Sequence, residues 1–135
     1  MFVKTGLADG SVAGSLSTTG DVMRAGILGI GTMPGISIVS SFFLMVMPDK
    51  LYAFADCAVV PNPDSKHLAD IAISTADNFK KITGQEPKVA MLSYSTHGSA
   101  DSEEVQKVVE ATKLLKEKMP DLMCDGELQL DAAII

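Results

Sequence analysis

Lys88 to Met119 reads KVAMLSYSTHGSADSEEVQKVVEATKLLKEKM, and the order of elements within it decides the fold class. Val89 to Leu92 is a short apolar run of the length and flanks expected of a buried strand. Ser93 to Ser99 follows as a hydroxyl-rich loop carrying His97 and Gly98. Asp101 is expected to cap the next element, with Glu104 three residues on returning the bond. Val105, Val108, Val109, Thr112, Leu115 and Met119 then recur at helical spacing and give one apolar face. Glu103 and Glu104 at its start and Lys113, Lys116 and Lys118 at its end suit the helix dipole. Strand, polar loop and helix in this order make half of a βαβ unit. Loops at the carboxyl ends of such strands are where open α/β sheets hold ligands.

Outward from this stretch, Asp64 caps a second helix with Leu68, Ile71, Ala72, Thr75, Phe79 and Ile82 on one face and Gly84 just past its end. His67, in its first turn, has no His or Cys at ligand spacing and reads as a surface residue. Ile36 to Met47 is nearly continuous in apolar residues and reads as a central strand. Leu51 to Val60 reads as a further strand element broken near Asp56, and Pro61-Asn62-Pro63 as an extended connection. Pro120 stops the helix of the opening stretch, and Asp121 to Cys124 reads as a short strand. Gly6 with Ala8-Asp9-Gly10 reads as a helix end and turn, and Ser11 to Leu16 as a short strand weakened by Gly14. Strands alternate with helices, so the expected architecture is α/β with a mainly parallel sheet.

A chain of 135 residues is enough for one domain with a real core. The net charge of −6 argues against a nucleic-acid surface, which needs clustered Lys and Arg. No basic n-region precedes an apolar run, so no signal peptide is expected, and the Ile36–Met47 run is too short to span a bilayer. Cys57 and Cys124 are too few and too far apart for a zinc knuckle or redox pair, and read as free buried thiols in a reducing compartment. A cytoplasmic location follows as the default.

The segment Ser17 to Gly31, STTGDVMRAGILGIG, holds the first candidate site. Thr18 can cap a helix running from about Thr19 to Gly29, and Asp21 can complete the box. Thr18 and Thr19 place two hydroxyls beside the free N–H groups of the first turn, and Arg24, the one arginine of the chain, follows a turn later. Two readings stand: a plain cap with a solvated arginine, or an anion cradle of N–H donors, hydroxyls and one guanidinium.

Elsewhere the chemistry is sparse. There is no GxSxG elbow, Walker loop or HExxH helix. His97 beside Ser95 and Thr96 reads as a solvated loop residue more readily than as a base with its nucleophile. Cys57 has no basic neighbour in sequence to activate it. Asp125, Glu127 and Asp131 could face a hard cation but lack calcium-loop spacing, so no metal is expected.

Five stretches, LADGSVAGSLSTTGDVMRAGI, MPGISIVSSFFLMVMPD, FADCAVVPNPDSKHLADIAI, EPKVAMLSYSTHGSADSEEV and PDLMCDGELQLDAAI, resemble, in the same order, the phosphate acetyltransferase and phosphate butyryltransferase family. The resemblance implies transfer of acetyl between acetyl phosphate and coenzyme A, with coenzyme A as substrate, phosphate as product and no bound cofactor. It implies a three-layer α/β/α fold of the isocitrate/isopropylmalate dehydrogenase type, two domains with the site in the cleft, and a homodimer. Arg24 matches the family's cleft arginine, Ser17, Thr18 and Thr19 the hydroxyl turn beside it, and Ser93–Ser99 the hydroxyl loop, with Ser95 and Thr96 as its substrate-facing candidates. His97 stands where the family leads one to expect lysine, and Ala25 where it leads one to expect proline.

The family's catalytic aspartate, which deprotonates the thiol, and its serine–arginine pair have no match here, so no catalytic residue is assigned. Residues 1–38 then correspond to the end of the first domain and 39–135 to a major part of the second. The bare Ile134-Ile135 ending and the uncapped start agree with a partial chain, expected to have little activity alone and to self-associate. The competing function is a non-catalytic ligand-binding or dimerisation module. A dehydrogenase of the same broad fold would need a nicotinamide site and acid ligands for a metal, and neither is visible.

Overall fold

The computed structural model describes residues 1–32 and 34–135, which fall into two compact units, Met1–Ile36 and Ser37–Ile135.

The first unit is built on one helix, α1 (Thr19–Gly29). Gly6 (φ 72°) ends the preceding turn. Its N–H donates to the Val3 carbonyl and that of Leu7 to the Phe2 carbonyl, the paired bonds of a helix C-terminus. The strand expected over Ser11–Leu16 is not formed. Gly14 and Ser15 both take positive φ, which breaks an extended run, and Val12 and Leu16 are fully exposed.

The second unit carries β1 (Phe42–Val46), β2 (Leu51–Ala55), α2 (Ser65–Thr83), β3 (Lys88–Leu92), α3 (Glu103–Lys118), β4 (Met123–Leu128) and α4 (Leu130–Ile134). β1 and β2 form an antiparallel hairpin, and β3 and β4 a parallel pair joined through α3. The expected central strand over Ile36–Met47 is therefore a five-residue arm of a hairpin. Its Phe43 is 57% exposed and its Val46 73%. A mainly parallel sheet was the expectation; the described residues give one parallel and one antiparallel pair. A continuous apolar run does not distinguish a strand covered on both faces from one whose apolar faces lie open.

β2 ends at Ala55 because Asp56 turns the chain. Its carboxylate accepts from the Ser41 amide (2.9 Å) and hydroxyl (3.1 Å) and from the amides of Ala58 (2.8 Å), Val59 (2.7 Å) and Val60 (3.3 Å). One side chain thus ties the start of the hairpin to the loop leaving it. Burial raises the Asp56 pKa, but the amides of Val59, Ser41, Ala58 and Val60 outweigh it and leave the group below its ordinary value.

α2 has the ends expected of it. The Asp64 carboxylate accepts from the His67 amide at 2.8 Å, and Gly84 (φ 72°) closes the helix with its amide on the Lys80 carbonyl at 2.8 Å. A left-handed residue at that position is most readily glycine. His67 also pairs with Asp64 at 2.9 Å, so it belongs to the cap. α3 starts one residue later than expected. Ser102, not Asp101, is the cap and accepts from the Val105 amide at 3.2 Å, while Asp101 takes the Gln106 side chain at 2.9 Å. β4 runs further than expected, and α4 occupies the tail.

The core lies between α2, α3 and the β3–β4 pair. Ala69 and Ala72 of α2, Val108, Ala111 and Leu115 of α3, and Met91 of β3 form one buried cluster. Small side chains on both helices allow close approach, and Leu115 fills the space they leave. Asp70, 1% exposed, lies in the same helix interface. It is held by Lys118 Nζ (2.6 Å) and Ser37 Oγ (2.7 Å). Burial pushes its pKa up, and the bonds from Lys118 and Ser37 more than reverse this. The two cysteines are half-buried and free, where full burial was expected. No helix among the described residues is long and apolar enough to cross a membrane.

Removing the cation from Asp70 would strand a buried carboxylate with only Ser37 as donor. Lys118→Met is expected to cost about 2 kcal/mol, low for a buried pair because Lys118 reaches solvent. Denaturant unfolding monitored by circular dichroism reads this, and an unchanged midpoint would show that Asp70 does not depend on Lys118.

Candidate functional site at the carboxyl edge of the parallel pair

The sequence candidates fall in both units. In the first, Thr18 caps α1: its Oγ1 accepts from the Asp21 amide (3.2 Å) and donates to Asp21 Oδ2 (2.7 Å). The expected box forms, but it closes through the hydroxyl, and it puts a carboxylate beside the helix N-terminus. Ser17, Thr18, Thr19 and Arg24 are all exposed. Asp21 and Arg24, three residues apart, lie on adjoining positions of one helix face.

In the second unit, Ser93–Ser99 leaves the carboxyl end of β3 and lies against the carboxyl end of β4. The Ser93 amide donates to the Leu128 carbonyl (2.9 Å) and the His97 amide to the Glu127 carbonyl (3.2 Å). Between Thr96 and Ser99 the chain turns through His97 (φ 45°) and Gly98 (φ 82°), with the Ser99 amide on the Thr96 carbonyl at 3.1 Å. Two consecutive positive φ values make a tight turn of the primed kind. Glycine takes it freely, and histidine is among the few other residues that do so with any frequency.

Ser95 and Thr96 have different surroundings. Ser95 is fully buried. Its hydroxyl donates to Glu127 Oε1 (2.9 Å) and accepts from the Ala100 amide (3.1 Å), so it faces the inside of the loop. Thr96 is half-exposed, and its Oγ1 accepts from the Gln129 amide at 2.9 Å, at the start of α4. His97 is exposed, with Nε2 3.4 Å from Asp125 Oδ2, and Lys116 reaches Asp125 Oδ1 at 3.5 Å. Asp125 is held below its ordinary pKa, first by the Gly126 amide.

Glu127 joins these parts, and sequence reasoning placed it only in a loose acidic group. Its carboxylate, on a residue 3% exposed, accepts from the Gly98 amide (2.7 Å) and the Ser95 hydroxyl (2.9 Å). The Gly98 amide is the main cause of a pKa below the usual glutamate value, helped by Glu127's own amide and by Ser95 against the cost of burial. The ladder explains its direction. Met91 pairs with Gly126 and Leu92 with Leu128, so Glu127 is skipped in the register. Such a bulge turns a side chain out of the pleat.

Gly126 permits the close packing beside it. A Cβ there would lie 2.6 Å from Met91 Cβ, 2.8 Å from Thr112 Oγ1 and 2.9 Å from the Met91 carbonyl oxygen. A glycine inside a strand is the signal of close approach that could have drawn attention to Asp125-Gly126-Glu127. The two acids lack a common target: Asp125 faces His97 and Lys116, and Glu127 faces the loop amide and hydroxyl. This division of contacts suits a structural clamp rather than a cation site.

The chain is thus of the α/β class, with a hydroxyl loop clamped at a parallel strand end and a capped helix carrying one arginine. The family model described as phosphate acetyl/butaryl transferase matches residues 1–135, and the chain belongs to that family. A phosphate acetyltransferase of Clostridium acetobutylicum is 55% identical over 140 residues, covering 99% of this chain and 42% of the relative. That of Haemophilus influenzae is 48% identical over 135 residues, covering the whole chain and 19% of the relative. Among solved structures, the EutD phosphotransacetylase from Staphylococcus aureus superposes with a TM-score of 0.88 at 46% identity, over 99% of this chain and 42% of that one. A phosphotransacetylase from Streptococcus pyogenes gives 0.89 at 46% identity, over 99% and 41%. The chain thus spans less than half the length of these relatives.

Gly126→Ala is expected to destabilise the second unit by about 1–3 kcal/mol, because backbone and Cβ atoms, not a flexible tip, must give way. Thermal unfolding tests this, and an unchanged midpoint would mean that β3 and α3 are not packed against β4 as described.

Proposed function

We propose that this chain forms part of a phosphate acetyltransferase, interconverting acetyl-CoA plus phosphate with coenzyme A plus acetyl phosphate. The observation that carries the proposal is the family match over residues 1–135 together with 55% identity to a phosphate acetyltransferase. In the thioester-forming direction, the thiol of coenzyme A gives its proton to a base and its sulfur attacks the acetyl carbon. The bond from that carbon to the phosphate oxygen breaks and phosphate leaves.

Within this reaction the chain's own groups bind and orient. Arg24, Thr18 and Thr19, with Ser17 beside them, would take phosphoryl oxygens at the start of α1, where the open amides and the dipole favour an anion. The Thr18–Asp21 bond would compete with that anion, so binding there would displace or share the cap. In the second unit, taken by itself, Thr96 and the turn at His97–Gly98 would offer donors to phosphoryl oxygens, and the buried Ser95 would support that turn from inside. The base that resemblance implies, an aspartate, has no counterpart among these residues, and the 135-residue chain by itself is accordingly assigned little turnover.

The same reading gives residues 1–38 to the end of one domain and 39–135 to most of another. In the whole enzyme it makes β3 and β4 members of a wider, mainly parallel α/β/α sheet of the isocitrate/isopropylmalate dehydrogenase type. The parallel pair and the separation of contacts near Ile36 support this. The exposed hairpin residues Phe43, Val46 and Phe54 support homo-oligomerisation, since open apolar strands seek cover. They equally favour a non-catalytic dimerisation module as the second reading. Free, half-buried cysteines suit a reducing, cytoplasmic setting.

The whole gene product that carries these residues is expected to form acetyl-CoA from acetyl phosphate and coenzyme A. Arg24→Ala should lower kcat/KM at least tenfold, the loss of a charge-assisted contact of about 1.5–3 kcal/mol. A folded wild-type product without turnover would overturn the enzyme reading in favour of the binding module. Full activity of Arg24→Ala would remove the arginine from the site.

A further inference from the structure

Thr96 and His97 stand at the outer rim of the loop, on a turn whose conformation needs support beyond their own side chains. The positive φ values of His97 and Gly98 put this turn in a region that a free chain visits seldom. Within it the Thr96 amide donates to Ser99 Oγ (2.9 Å) and the Ser99 amide to the Thr96 carbonyl (3.1 Å), and contacts from outside the turn add to these. Four come from the end of β4 and the residue after it. They are the Glu127 carbonyl on the His97 amide, the Glu127 carboxylate on the Gly98 amide, the same carboxylate on the Ser95 hydroxyl, and the Gln129 amide on Thr96 Oγ1. Three of the four involve Glu127, whose side chain the skipped register turns towards the loop.

We propose that Glu127 is the positioning residue of this loop, holding the His97–Gly98 turn in the conformation that receives phosphoryl oxygens. This deepens the reading under Proposed function and rests on it. Glu127 does not touch substrate. Its charge is spent on the Gly98 amide and the Ser95 hydroxyl behind the turn, so a negative group lies close to an anion site with its field directed into donors. Asp125 and Lys116 complete the surroundings of the turn: Asp125 faces the His97 ring, and Lys116 offsets Asp125. The ligand chemistry is an anionic phosphoryl group, carried as an acyl phosphate by acetyl phosphate and as a phosphomonoester and pyrophosphate by coenzyme A.

The test is titration of the 135-residue chain, labelled with ¹⁵N, with acetyl phosphate and separately with coenzyme A, following the amides of Thr96, His97 and Gly98. Saturable shifts of these amides are expected with at least one of the two ligands. Glu127→Ala should weaken that binding at least tenfold, and Glu127→Gln, which keeps an acceptor of the same reach, should restore most of it. Unperturbed amide shifts at Ala69, Ala72 and Ala111 establish that a variant is folded. Should Glu127→Ala fail to fold, Glu127→Gln alone decides: a distinct loop spectrum with two- to tenfold weaker binding supports the proposal. A folded Glu127→Ala that binds as the wild type does, or, where only Glu127→Gln folds, an unchanged loop spectrum and affinity in that variant, would overturn it and leave the substrate reading intact. A wild-type chain whose loop amides answer neither ligand would overturn the substrate reading of this loop, and this proposal with it.

Discussion

A carboxylate withdrawn from water must be met by donors, and at Glu127 the donors available are the loop that follows β3. The Gly98 amide at 2.7 Å and the Ser95 hydroxyl at 2.9 Å satisfy the charge. In return they hold a turn that would otherwise be one conformer among many. Hydrogen bonds to an ionised acceptor are stronger than neutral ones, and a buried charge without them is costly. The carboxyl edge of the parallel pair is therefore ordered by a charge supplied from the neighbouring strand together with the loop's own hydroxyls, which accept from the Ser95, Thr96 and Ala100 amides. A loop of Ser, Thr, His and Gly has little apolar surface to bury, so hydrogen bonds must offset the entropy of ordering it.

That arrangement depends in turn on how tightly β4 lies against its neighbours. Gly126 admits Met91 and Thr112 to distances no side chain would tolerate, and the adjoining register skip re-aims Glu127. Beneath it, α2 and α3 meet through Ala69, Ala72 and Ala111, with Asp70 and Lys118 pinning Ser37 at the start of the unit. The chain from sequence to function is short here: a glycine permits contact, the contact fixes a strand end, and the strand end fixes a loop.

Much of this was legible in the residues. Asp64 and Gly84 mark both ends of α2, and the apolar positions of α3 from Val105 to Leu115 give its buried face with only Val109 left exposed. Thr18 and Asp21 mark the start of α1. What local pattern could not supply was partnership. Ile36–Met47 reads as a central strand because a nearly continuous apolar run reports burial preference, yet five of its residues form an arm of an exposed hairpin. Ser11–Leu16 has strand-like residues and no strand to pair with. Glu127 looked like one of three scattered acids, since the bulge that turns it inward is a property of two strands together. The resemblance of five collinear stretches points to the family, and the site residues it implies differ in kind: Arg24 is exposed on a helix, Ser95 enclosed, Thr96 between.

Glu127 is ionised and bound to the loop through the Gly98 amide, and its own carboxyl carbon reports on that charge. Because the folded carboxyl is held below its ordinary value of 4.5, the unfolded chain takes up the proton first as pH falls. The clamp is then fully present above 4.5 and lost only as pH drops through the lower folded value. Measured by NMR as pH falls from neutrality, the side-chain carboxyl ¹³C shift of Glu127 should stay constant to below 4.5 and then move, with the Gly98 amide shift following it. A Glu127 carboxyl that titrates at or above 4.5, or a Gly98 amide that does not follow that titration while the fold persists, would show that the clamp is not as described.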